Sequence, residues 1–75
     1  MNNKINFEKH IWEGWTVGDF INDLEPYFTQ IMSGNSWQKP FKTSKEVKQW
    51  CMENQPYYKK PIPDVVNYFT KKLKN

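Results

Sequence analysis

The sequence predicts an all-α fold, a small three-helix bundle with an irregular N-terminal arm, on three observations. Three stretches carry apolar residues at helical spacing. Two of them open on capping signals and the third on a proline followed by an acid, with loops rich in proline or glycine between them. No run alternates apolar and polar residues for long enough to specify a sheet.

Residues 1–15 make up the arm. They hold Ile5, Phe7, Ile11, Trp12 and Trp15, a spacing that fits neither strand nor helix cleanly, so a short helix and an extended segment both stay open. The first helix begins at Thr16. Its hydroxyl is placed to accept from a first-turn amide, and Asp19 stands where a capping box has Glu, near the positive end of the helix dipole. Trp15, just before the cap, is spaced to pack on Phe20 as a hydrophobic staple. Apolar residues at 17, 20, 21, 24, 28 and 31 then form one stripe. Pro26 interrupts the hydrogen-bond ladder but not the stripe, which predicts a helix over about 17–33 with a kink, or two short helices meeting near Glu25. Gly34 supplies a left-handed stop.

Residues 34–42 read as a loop. Thr43-Ser44-Lys45-Glu46 is a second capping box, after which Val47, Trp50 and Cys51 share one face. Pro56 disfavours helical geometry at Gln55, ending this helix near Asn54. Residues 55–61 form another loop, and the third helix opens at Pro63, a residue suited to a first helical position. Ile62, Val65, Val66, Phe69 and Leu73 give its stripe, while Lys71, Lys72 and Lys74 face the negative end of the dipole as a solvated helix terminus.

Seventy-five residues make a single domain, 1–75. A chain of this length buries only ~60–65% of its unfolded surface and needs disulfides, a metal, a partner or dense aromatic packing. Cys51 is the sole cysteine and His10 the sole histidine, so no internal disulfide can form and no zinc ligand set is expected. Four Trp, four Tyr and five Phe offer the alternative. They exceed what so small a core can take in, which leaves some of them to meet another molecule.

No apolar run approaches the ~20 residues of a bilayer span, and the opening residues lack the apolar stretch of a signal peptide, so the expected location is the cytoplasm without membrane contact. A lone thiol suits a reducing compartment. The net charge of +3 conceals a split: residues 1–37 carry two lysines against five acids, residues 38–75 nine lysines against three acids. All basic residues are lysines, which weakens base-specific DNA reading by guanidinium forks while leaving phosphate contact open.

Nothing in the sequence supports catalysis. Three scattered glycines build no phosphate loop, and one histidine supplies neither a base paired with a nucleophile nor a ligand set, so no enzyme and no cofactor are expected. Cys51, on a face with Val47 and Trp50, reads as a small buried hydrophobe.

Binding is the remaining class. The candidate anchors are Trp12, Trp37, Phe41, Tyr57 and Tyr58, with Lys39, Lys42, Lys59 and Lys60 as a polar rim. Trp37 and Phe41 are equally suited to folding over the helix ends to complete the core. Lysines beside aromatic faces fit an acidic protein surface or single-stranded nucleic acid, where phosphates meet ammonium groups and bases stack on rings.

The strings Ile11-Trp12-Glu13-Gly14-Trp15-Thr16-Val17-Gly18-Asp19-Phe20-Ile21, Ser36-Trp37-Gln38-Lys39-Pro40-Phe41 and Asn54-Gln55-Pro56-Tyr57-Tyr58-Lys59-Lys60 resemble small accessory proteins encoded by phages and phage-related pathogenicity islands of Gram-positive bacteria. The resemblance implies a protein that blocks, redirects or assists a host or phage protein, and carries no catalytic motif with it. The expected function is therefore a non-enzymatic protein-binding module. A small DNA-binding or replication-accessory protein is the alternative, and a homodimer that buries its surplus aromatics against itself is compatible with either.

Overall fold

Strand pairing, rather than an irregular arm, is the first regular structure in the computed structural model, which describes residues 5–73. Strand β1 (His10–Trp12) pairs antiparallel with β2 (Trp15–Thr16), setting His10 opposite Thr16 and Trp12 opposite Trp15. Ile11 is the extra residue of a bulge on β1, and this breaks the alternation by which a strand is recognised. Glu13 takes a left-handed φ of 52° in the two-residue turn. The expected mostly helical fold with three helices is found, and a small hairpin stands where an irregular arm was expected.

The arm also has a structural task. The amide N–H of Val17 donates to the Lys9 carbonyl at 2.9 Å and that of Gly18 to the Phe7 carbonyl at 2.8 Å. These first-turn donors have no partner within a helix, so the preceding chain supplies one. Gly18 permits the approach, since a Cβ there would lie 3.1 Å from the Phe7 carbonyl oxygen.

Helix α1 (Val17–Met32) has the expected cap: Thr16 Oγ1 accepts from the Asp19 amide at 3.2 Å, and the Asp19 carboxylate accepts from the Thr16 amide at 2.9 Å. The staple forms too, with the Trp15 and Phe20 rings 5.0 Å apart. Pro26 is accommodated inside one continuous helix. Pro26 and Asn22, whose carbonyl the proline leaves without a helical donor, both lie on the exposed face where water can serve. The helix closes with the amides of Gly34 and Asn35 donating to the carbonyls of Ile31 and Gln30, a geometry that uses the Gly34 φ of 84°.

Helix α2 (Ser44–Asn54) opens on the Thr43/Glu46 capping box, and α3 (Pro63–Lys71) on Pro63, without a side-chain cap. The third helix packs against both others. Phe28 from α1, Phe41 from the loop, Trp50 from α2 and Phe69 from α3 form one aromatic cluster, with Phe28 and Phe69 centred 4.6 Å apart. Val17, Phe20, Leu24, Val47, Cys51, Ile62 and Val65 complete the buried core. The described residues include no helix long and apolar enough to cross a membrane.

Candidate functional site

The structure divides the thirteen aromatic side chains by burial. Phe20, Phe28, Phe41 and Phe69 are buried, while Phe7, Tyr27, Trp37 and Tyr57 are exposed and the other five are half-buried. Phe41 is therefore a correction: expected among the anchors, it is 6% exposed, stacked on Phe28 and tilted against Trp50. Trp37, four residues earlier, does the opposite. It is 93% exposed and makes no ring contact with another described residue.

Beside Trp37 runs an open groove of about 840 Å³. One wall is α1, which presents Asp23, Tyr27 and Gln30 from positions i, i+4 and i+7, adjoining its buried stripe. The other wall is α2, which presents Trp50, Glu53 and Asn54 at i, i+3 and i+4. The loop through Asn35, Trp37 and Gln38 forms the end, and Leu24 and Ile31 contribute from the core side. Sequence reasoning missed Asp23, Tyr27, Trp50 and Glu53 as candidates. The signal was a second, polar-aromatic stripe on α1 at the same helical period as the apolar one.

The anticipated lysine rim is not around this groove. None of its lining residues is basic, although the chain carries eleven lysines. Lys39 and Lys42 are exposed on the stretch leading into α2. Lys59 is structural: its ammonium donates to the Gln55 carbonyl at 2.7 Å and the Glu53 carbonyl at 3.3 Å, capping the negative end of α2. Lys60 is exposed in the same loop. Lys72 is engaged 3.5 Å from the Glu25 carboxylate and over the Tyr68 ring, and Lys74 lies outside the described residues.

Three of the expected anchors gather at a second place. Tyr57, exposed, stacks on Trp12 at 5.7 Å with 17° between the rings and meets Trp15 edge-on at 5.7 Å. Its φ is 64°, and the Tyr58 amide donates across it to the Pro56 carbonyl at 2.7 Å, forming a γ-turn of the rare, strained hand. Gln55, fully buried, holds this turn by donating from Nε2 to the carbonyls of Tyr58 at 2.8 Å and Lys60 at 3.0 Å. Tyr58 is half-buried and leans on Phe20. Trp12 and Tyr57 thus tie the hairpin to the loop while keeping one outer ring face in water.

Burial pushes the Cys51 thiol up to about 12, which keeps it protonated and inert. Partial burial and the hydrogen bond to Glu25 raise the Tyr68 phenol, which donates to that carboxylate at 2.8 Å. His10 is exposed, with Nε2 against the Glu13 carbonyl inside the hairpin. The described residues contain no group of three potential metal ligands.

No family model matches the chain, and no curated protein and no solved structure is significantly similar to it.

Proposed function

We propose that this domain is a non-enzymatic protein-binding module, of the kind a mobile element uses to redirect or inhibit a host or phage protein, and that Trp37 is its principal anchor. One observation carries the reading. An indole left 93% exposed at the end of a groove forgoes about 2–3 kcal/mol of burial, a large share of the stability of so small a domain. A partner that covers it recovers that energy, and tryptophan dominates the energetic centres of protein interfaces. Tyr27 and Trp50 on the two groove walls extend the same surface.

The test is recovery of a stoichiometric partner by a tagged copy expressed in the organism of origin. Trp37→Ala is expected to weaken recovery by roughly thirtyfold in affinity, the size of a loss of ~2 kcal/mol at an interface centre. The thermal unfolding midpoint should stay put. Recovery that is indifferent to Trp37 would remove it as the anchor.

A second reading has its own observation. Lys39, Lys42, Lys45 and Lys48 recur every third residue and are all exposed, without an ion pair to any described acid. Phosphates of a nucleic acid could follow such a row. Gel-shift affinity for single-stranded DNA should then fall by roughly fiftyfold between 50 and 200 mM salt, the effect of about four phosphate contacts. Absence of a shift at low salt eliminates this reading.

A further inference from the structure

We propose that the groove between α1 and α2 receives a cationic side chain, carried on an apolar segment of the partner protein; this rests on the protein-binding reading above. The argument is one of charge complementarity. Asp23 and Glu53 stand on opposite walls, both exposed, and neither is within ion-pair reach of a described cation. Among the described residues the Glu53 carboxylate accepts from the Gln49 side-chain amide at 2.6 Å, a neutral donor, while the nearby Lys59 ammonium is engaged by the Glu53 backbone carbonyl instead.

The aromatic faces point the same way. Tyr27, Trp37 and Trp50 line the same groove as these carboxylates, and a guanidinium or ammonium over an indole or phenol face gains roughly 0.5–2 kcal/mol. Such a cation therefore meets both its counter-charge and its preferred ring faces in one groove. An anionic segment meets repulsion. In a chain of net charge +3, no described lysine lines this acidic, aromatic groove. The exposed rings of Tyr27 and Trp37 supply the apolar area against which a neighbour of the cation on the incoming segment would pack.

The experiment uses two probes, the capped dipeptides acetyl-leucyl-arginine amide and acetyl-leucyl-glutamate amide, titrated into the isotope-labelled full chain while the Trp37 indole N–H is followed by NMR. The arginine probe is expected to shift that resonance and the glutamate probe to leave it unmoved. Asp23→Asn combined with Glu53→Gln should weaken the arginine probe about tenfold, the sum of two partly exposed charge pairs. An unmoved indole up to the solubility limit, or an equal response to both probes, overturns the inference. So does a Trp37-dependent dimer at the titration concentration, which would make a second copy the occupant.

The failure of this inference and of the reading beneath it are distinguishable. A partner recovered through Trp37 yet indifferent to Asp23→Asn with Glu53→Gln overturns the cationic occupant and leaves the protein-binding module intact. A bound arginine probe with Trp37-independent partner recovery does the reverse.

Discussion

At the scale of single residues, similar aromatic side chains do opposite work. Phe69 is fully buried against Phe28, Trp50 and Tyr68, whereas Trp37 touches no other ring. Phe69→Ala is expected to cost ~3–5 kcal/mol in urea unfolding and Trp37→Ala under ~0.5 kcal/mol, because only the first opens a cavity. Comparable losses for the two would mean that Trp37 packs in solution. Cys51 gives a chemical readout of the same core: a thiol titrating only near 12 should stay silent to a disulfide reagent at pH 8 and react once denaturant opens the domain. Legibility differed in the same way. The helical stripes of Val47, Cys51, Val65 and Phe69 marked them as interior, but Trp37 and Phe41 lie in a loop without a period, so nothing local says which of the two turns inward. Tyr27 was missed because an aromatic off the apolar stripe resembles an ordinary surface residue until α2 is seen beside it.

At the scale of elements, the helix ends were the most legible features, because a cap is written within four residues. Thr16 with Asp19 and Thr43 with Glu46 form their reciprocal bonds as expected, and Trp15 meets Phe20. Thr43→Ala is expected to lower stability by ~1 kcal/mol. Hydrogen bonds from the backbone amides of Lys42 and Thr43 hold the Glu46 carboxyl below its ordinary 4.5. A carboxyl so lowered stabilises the fold above its unfolded value, and that contribution is lost as pH falls through the folded value. On acidification from pH 7 to roughly pH 3 the wild type should therefore lose more stability than Glu46→Gln, measured by urea midpoints. An equal loss would show that the capping bond is not formed. The hairpin, by contrast, was illegible. Its strands are shorter than the alternation a sequence reader needs, Ile11 breaks the register, and the turn puts its left-handed φ on Glu13 rather than on the adjoining Gly14. Pro26 left open one helix or two meeting near Glu25, and one continuous helix, Val17–Met32, forms.

At the scale of the whole molecule, the domain is a slab, 32 × 31 × 18 Å, with a Cα radius of gyration of 12.0 Å. So thin a body has little interior, and this is why thirteen rings do not all find shelter. The composition revealed that surplus, whereas the location of the groove followed from how α1 and α2 sit around α3, a tertiary relation with no local signature. The division of charge in sequence also misled. The basic second half supplies Glu53 to an acidic groove, while its Lys59 is consumed in capping α2. That last arrangement carries a consequence for degradation. A lysine-directed protease must draw the side chain into its specificity pocket and straighten the flanking backbone, yet the Lys59 ammonium is fixed to two carbonyls and Gln55 anchors the chain on either side of it. Limited trypsin digestion of the native domain should accordingly spare the 59–60 bond while earlier cuts fall after unclamped lysines such as Lys45. Gln55→Ala should bring that bond among the first to be hydrolysed.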